Sequence, residues 1–313
     1  MNHLPSNGHL SAITSIDNYN VLPLNQNHLT LLESCPRKYE HVVFNSLYAP
    51  ASYEQHLKTQ WGSQFHLLMQ QQALDLPVDA IASANTDMQA SLAALEKAAP
   101  DVFKYLPVSQ AQPIDSSPDQ ERSQSPDANE FSQSEHKRTL AFNGYLLTVI
   151  YDLVVLEPGQ TGHIFDWKTY QKPPKETQLA NDWQTRLYQY VLCETTSLRP
   201  EQIAMTYWFV RVDEAQQQAP SFYRFNYSLA AHDKTRQDLQ RLSDRLTEMR
   251  SHNHFPKVDI AKGLCDYCTF NARCDRIPSA ALGKQPQDPN RLLKDALKAA
   301  SQVNIDSIEE ITL

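Results

Sequence analysis

An acid set in the middle of an apolar strand constrains this chain more than any other feature. The stretch from Gly144 to Lys168, GYLLTVIYDLVVLEPGQTGHIFDWK, holds two β-rich runs, Tyr145 to Leu156 and His163 to Tyr170. Between them, Glu157-Pro158-Gly159-Gln160-Thr161-Gly162 carries the Pro-Gly and Gly signals of a reversing loop, so the stretch reads as a β-hairpin. Asp152 lies among Val149, Ile150, Leu153, Val154 and Val155. Burying an unpaired carboxylate is costly, so it needs a partner. Side chains alternate across a strand, which puts Asp166 and Lys168 on one face and turns Trp167 to the other, with its carbonyl near the first. A loop centred on Gly159 makes Asp152 face Asp166, whereas a tight Pro158-Gly159 turn would pair it with Phe165. The first register gathers two carboxylates and one ammonium at the mouth of a sheet.

The 313 residues have room for one large domain or two ordinary ones. A net charge of -8 offers no global attraction for nucleic acid, although Arg224 to Lys284 is locally basic, with eleven Lys and Arg against seven Asp and Glu. No apolar run reaches the ~18 residues of a membrane span and no secretory pattern opens the chain, which predicts a cytoplasmic protein without a membrane partner. Five cysteines in so long a chain argue against a disulfide framework and direct attention to metal binding.

Taken in order, residues 1–26 read as a flexible lead-in. A short helix from Asn27 ends before Pro36, which can start another, leaving Cys35 at the joint. A helix is predicted from Trp61 to about Leu74, with Gly62 and His66 one turn apart on one face and Gly62 permitting close approach of a neighbour. Helical patterns follow at Ile81 to Met88 and Met88 to Ala98. Residues 107–136, rich in Pro, Ser and Gln, read as a disordered insertion within one domain. After the hairpin come a helix from about Thr177 to Thr195 carrying Gln184 and Tyr188 on one face, and strands Ile203 to Val212 and Ser221 to Tyr227. The next helix, Leu229 to Ser251, has Leu239, Leu242, Leu246 and Met249 as its core stripe and Arg236, Arg241, Arg245 and Arg250 among its polar positions. Cys265, Cys268 and Cys274 then form Cys-x2-Cys-x5-Cys, a pattern of zinc and iron-sulfur sites with one position open, for which Cys35 is the fourth candidate. Cys193 fits a helix core. In the C-terminal tail, residues 278–313, Asp288-Pro289 opens a helix to about Ser301.

The order Cys35-Pro36, Gly62-x3-His66, Asp152, Asp166-Trp167-Lys168, Gln184-x3-Tyr188, then Cys265, Cys268 and Cys274 resembles the PD-(D/E)XK nuclease superfamily. Within it the likeness is to the RecB-like branch with an iron-sulfur staple, which includes the CRISPR-associated adaptation exonucleases and the AddB nuclease domain. The resemblance spans residues 27–277. It implies an α/β, restriction-endonuclease-like core, with a central mixed sheet of about five strands flanked by helices, a helical wall, and a cysteine cluster joining N- and C-terminal parts. It implies that His66, Asp152 and Asp166, with the carbonyl of Trp167, bind Mg2+ or Mn2+, and that Lys168 orients or deprotonates the attacking water. Gln184 and Tyr188 would steady the substrate strand or the water network. Cys35, Cys265, Cys268 and Cys274 would hold a structural 4Fe-4S cluster, with zinc as the alternative occupant. Tyr151 precedes Asp152 where the family often has Pro. The implied activity is hydrolysis of DNA phosphodiester bonds, at single strands or ends, in repair, recombination or defence. With no helicase motif in the chain, unwinding falls to a helicase or repair partner. A catalytically inactive nucleic-acid-binding or scaffold protein on the same fold, and a zinc-stabilised interaction module, are the rival readings.

Overall fold

The computed structural model describes residues 21–48, 53–78, 85–106, 131–157, 159–169, 173–211, 219–266 and 268–276. The chain divides into two units, one of residues 1–34 and 50–254, the other of residues 35–49 and 255–313. The helices expected at Ile81 to Met88 and from Asp288 fall largely or wholly outside the described residues, as does the segment 107–130.

The first unit is built on β3 (Tyr145–Glu157), the spine of a six-stranded mixed sheet. Its burial alternates as far as Ile150 and is then continuous from Tyr151 to Val155, so its second half is covered on both faces. Along one edge runs β2 (Phe131–Phe142), antiparallel, joined through Asn143-Gly144 with both residues at positive φ. That geometry is the tight hairpin turn for which Asn-Gly is suited. Residues 131–136, expected within the disordered insertion, are therefore strand: their polar side chains find a partner in β3 that composition alone does not reveal.

β1 (Pro23–Leu24) and β4 (Thr161–Lys168) share the other edge of β3, β1 parallel at its start and β4 antiparallel at its end. The β3–β4 register runs from Glu157 opposite Thr161 to Leu153 opposite Phe165. Its loop is centred on Gly159, which takes φ 72. One more step in the same register sets Asp152 against Asp166. The strand starts at Thr161, two residues earlier than its apolar pattern suggests, because Glu157 pairs with Thr161 across so short a loop. Beyond β4 come β5 (Ile203–Phe209), parallel to it, and β6 (Ser221–Asn226), antiparallel on β5.

The helix expected between β4 and β5 is two, α6 (Glu176–Asn181) and α7 (Trp183–Glu194), separated by Asp182 with extended ψ of 145. Earlier in the chain stand α1 (Gln26–Ser34), α3 (Tyr53–Ala73), α4 (Thr86–Ala98) and the single turn α5 (Pro100–Phe103), with α2 (Pro36–Tyr39) in the second unit. α3 begins two turns before the apolar pattern that marks it. Trp61, Phe65, Leu68 and Met69 of α3 join Met88, Leu92 and Leu95 of α4 and the sheet residues Leu153, Val155, Phe165, Trp167 and Trp208 in one core. This packing lays α3 on the sheet. A Cβ at Gly62 would stand 3.0 Å from Thr169 Oγ1, so the glycine lets the helix press against the end of β4.

α8 (Leu229–Ser251) spans the expected residues; Ser228 caps it by accepting from the Ala231 amide, and Leu239, Leu242, Leu246 and Met249 are buried. Its arginines are partly occupied: Arg236 pairs with Glu194, and Arg241 with Glu33 and Asp238. Among the described residues no helix is long and apolar enough to cross a membrane.

In the second unit α2 begins at Pro36 after Cys35 and continues as a π-helical turn, Glu40–Phe44. Tyr39, Phe44 and Phe255 pack ring against ring with centroids 5.4 to 6.4 Å apart, and the Arg37 amide donates to the Pro256 carbonyl at 3.2 Å. Those contacts hold residues 35–49 to the segment from Phe255.

Candidate active site and cysteine cluster

The acid in the apolar strand does have a partner. Strand pairing between β3 and β4 stops at Leu153 and Phe165, and the next free amide, that of Trp167, donates instead to Asp152 Oδ2 at 2.8 Å. A side-chain carboxylate thus takes the place of a backbone acceptor, satisfying a buried N–H that would otherwise be stranded. Because the N–H and C=O of one strand residue point to the same edge, the Trp167 carbonyl is directed toward β3 as well, while its indole lies in the core. His66 approaches from α3 with Nδ1 3.4 Å from the same Oδ2. Burial works against the charged imidazole, but Asp152, with Asp166 and Glu135 behind it, outweighs that effect and raises His66 to about 8.

Asp166, 2% exposed, sits in a closed ring of contacts. Gln184 Nε2 donates to Asp166 Oδ1 at 2.6 Å, Lys168 Nζ donates to Gln184 Oε1 at 2.8 Å, and the same ammonium stands 2.8 Å from Asp166 Oδ2. The last contact is charge-assisted, and the buried Oδ2 meets no further donor among the described residues, which leaves it a spare lone pair. Burial pushes the Asp166 carboxyl up and the adjacent Lys168 pulls it down, with Asp152 adding to the upward push; the net direction is up. Lys168 also lies over the Tyr207 ring, 5.0 Å from its centroid.

The break at Asp182 sets the start of α7, and with it Gln184, the second residue of a helix packed on the sheet. Tyr188, 4% exposed, lies one turn further along. Its ring meets Tyr151 edge-on at 5.3 Å, its carbonyl accepts from the Tyr151 hydroxyl at 3.1 Å, and Gln184 and the Ile150 backbone engage its phenol. Burial holds that phenol well above its usual range. Tyr188 therefore backs Gln184 from inside the fold.

Sequence reasoning missed one residue of this site. Glu135, on β2, falls between the pairs Ser134–Leu153 and His136–Tyr151, opposite Asp152, and takes φ 50, a left-handed conformation that Glu adopts rarely. One ligand atom each of His66, Glu135 and Asp152 lie within 4.8 Å of one another. Burial, then the charge of Asp152, raises the Glu135 carboxyl. It escaped notice because it stands in the polar run Ser132 to Arg138; the signal that could have found it is Asn143-Gly144, which folds that run back on β3.

All four cysteines of the proposed cluster belong to the second unit. Cys265 accepts from Arg276 Nη1 at 3.2 Å, Cys268 from the Phe270 amide at 3.4 Å, and Cys274 lies 3.9 Å from His41 Nε2. Burial raises the Cys274 thiol, with Lys257 opposing and the neighbouring Cys35 and Cys268 adding to the rise. Cys193, in the first unit, lies on α7 with its thiol toward the Leu198 carbonyl, 3.5 Å away.

The model of the PD-(D/E)XK nuclease superfamily matches residues 23–275, most of the chain, including the carboxylate site and the four cysteines. The chain belongs to that superfamily. Among solved structures, this PD-(D/E)XK protein is similar to one from Eubacterium rectale named as a "putative exonuclease", at 12% identity and a TM-score of 0.46 over 90% of this chain and 98% of that one. It is similar also to SSO0001, at 13% identity and a TM-score of 0.31 over 84% and 89% of the two chains. At such identities and scores neither likeness bears on function. No curated protein matches the sequence.

The dual use of Asp152 makes two substitutions separable. Asp152→Ala removes the acceptor of a buried amide and is expected to cost about 1–3 kcal/mol. Asp152→Asn keeps an oxygen for that amide and is expected to unfold within a few tenths of that loss of wild type. Urea unfolding of the two variants checks this; equal destabilisation by both would contradict the role assigned to the carboxylate.

Proposed function

We propose that this chain is a divalent-metal-dependent deoxyribonuclease of the RecB-like branch, hydrolysing phosphodiester bonds at single strands or free ends, in repair, recombination or defence. The observation that carries this reading is the adjacency of two groups. The first is a ligand set of one imidazole and carboxylates, His66, Glu135 and Asp152; the second is an ammonium fixed by Asp166 and Gln184.

The donors suit Mg2+ or Mn2+. Oxygen ligands with one imidazole fit either ion, Mn2+ more readily, and the unused lone pair of buried Asp166 Oδ2 is a further donor. His66, Asp152, Asp166 and the Trp167 carbonyl would hold the ion, with Glu135 beside them. Such an ion lowers the pKa of bound water and offsets charge on a phosphate. The chain's own residues supply position. Lys168, tethered to Gln184 and Asp166, holds a fixed positive charge where an attacking water is to be oriented, and Gln184, backed by Tyr188, keeps that lysine from swinging away.

Cys35, Cys265, Cys268 and Cys274 would carry a structural 4Fe-4S cluster, zinc being the competitor; amide and guanidinium donors on two of the sulfurs support a thiolate site. Stripes of arginine on α8 contribute less to strand binding than their number suggests, since Arg236 and Arg241 are paired with acids. The partners this reading calls for are DNA and, for duplex substrates, a helicase or repair protein.

Two experiments test the reading. Of labelled single- and double-stranded DNA and RNA incubated with Mg2+ or Mn2+, the DNA should be degraded by wild-type protein and not after chelation, with Asp166→Ala slower by at least about a hundredfold; DNA left intact under both metals would reject the deoxyribonuclease. Anaerobically purified protein should be brown and contain iron with acid-labile sulfide, whereas colourless, zinc-loaded protein would overturn the cluster alone.

A further inference from the structure

One cavity of the first unit lies outside the carboxylate site. It has a volume of about 510 Å³ and is lined by Lys58, Trp61 and Gln64 of α3, Asn85 and Asp87 at the start of α4, and Arg211 just past the end of β5. Its charged lining is two cations, Lys58 and Arg211, against one acid, Asp87, set beside apolar surface from Leu57 and Trp61. Arg211 lies with its guanidinium carbon 5.1 Å from the Trp61 ring centroid, a cation–π contact that fixes the plane of the fork while leaving its N–H groups available. Among the described residues no carboxylate pairs with Arg211, in contrast to Arg186, Arg236 and Arg241, each of which meets an acid. Trp61 is 7% exposed, and its Nε1–H is buried without an acceptor among the described residues. Leaving a buried donor unmet has a cost that a ligand can remove. The Asn85 side chain is already used in accepting from the Met88 amide, and Asp87, the one acid of the lining, sits in the first turn of α4 where the helix dipole favours it. A ligand for this place is rich in acceptors and negatively charged.

The cavity is tied to the carboxylate site by backbone. The Val210 amide donates to the Lys168 carbonyl at 3.0 Å, so Arg211 is one residue from the segment that carries the catalytic ammonium. On α3, Trp61 precedes Gly62, which touches Thr169, and His66 follows one turn later. Along the helix axis Trp61 and Lys58 are about 8 and 12 Å from His66, the reach of a neighbouring nucleotide.

We propose that this cavity binds a backbone phosphate of the substrate strand, one or two nucleotides from the bond that is cut, with Arg211 as its main ligand and Lys58 and the Trp61 N–H beside it. This rests on the nuclease reading for the identity of the strand. Arg211 is here a positioning residue: it sets where the strand lies and takes no part in bond cleavage. The phosphate could equally be presented by a free nucleotide, and the two sources are separable.

The test is binding of a fluorescein-labelled single-stranded oligonucleotide by anisotropy without added divalent metal, over a salt series, for wild type, Arg211→Gln, Arg211→Lys and Arg199→Gln. Arg199 precedes β5 at the opposite end of that strand and serves as the charge control. Arg211→Gln is expected to weaken binding about tenfold or more and to reduce the slope of log K against log salt by about 0.7, one phosphate contact on a single strand. Arg211→Lys should keep the slope while losing part of the affinity, and Arg199→Gln should change neither. Manganese-supported hydrolysis of bis(4-nitrophenyl) phosphate, too small to span both places, is followed in wild type as the separate readout of the nuclease. Affinity and slope unchanged in Arg211→Gln would overturn the proposal while leaving the nuclease intact. Absence of hydrolysis by wild type, with strand binding still lost in Arg211→Gln, would overturn the nuclease and leave the strand site standing. A deoxynucleoside monophosphate that binds wild type tightly and is lost in Arg211→Gln, while strand affinity holds, would assign the cavity to a free nucleotide and overturn the strand reading.

Discussion

The hydrogen bond from the Trp167 amide to the Asp152 carboxylate is the contact on which the rest of the site depends. Two antiparallel strands that kept pairing past Leu153 and Phe165 would bury their polar groups against each other and leave nothing for a ligand. Ending the ladder at Leu153 and Phe165, and satisfying the Trp167 amide with a side chain, lets the strands part without stranding a donor. The carboxylate that closes the ladder keeps lone pairs to spare, and they face His66 and Glu135. A structural requirement and a binding site are met by the same group.

Around that point, positive and negative charges are held close in a region of low exposure, an arrangement that costs free energy unless each charge is answered. Gln184 answers two at once, donating a hydrogen bond to Asp166 and accepting one from Lys168. It couples acid and base into a unit whose geometry follows α7, and α7 is anchored by Tyr188 and Tyr151 beneath it. Gly62 does a comparable service for α3, since its missing side chain allows the helix to reach Thr169 and so delivers His66. The left-handed turn of the backbone at Glu135 is strain of the kind that persists where a site requires it.

How much of this was legible in the sequence varies with the physical signal. The register of the β3–β4 hairpin was readable because an apolar strand with one acid admits few pairings, and a loop centred on Gly159 fits the acid to a polar neighbour. α8 was readable from its stripe of Leu239, Leu242, Leu246 and Met249, and the joint at Cys35 from Pro36. β2 was not, because none of its residues is fully buried and its burial alternates only from His136 onward, leaving the polar half up to Glu135 without a period; its position is imposed by β3. Neither was the break at Asp182, where no Pro or Gly interrupts the helical pattern and packing against the sheet decides. Spacing put Gln184 and Tyr188 on one face, but only the fold reveals that Gln184 holds the acid–lysine pair and that Tyr188 supports it from the core. The contribution of Glu135 followed β2 into obscurity.

The central claim is that the acids gathered where the ladder ends are there to bind a cation. Calorimetric titration of Mn2+ into wild-type protein and into folded Asp152→Asn measures it directly. Binding in the wild type that weakens at least about tenfold in the variant, with its unfolding transition preserved, is the expected result; equal affinity in the two proteins, or no binding in either, would contradict it.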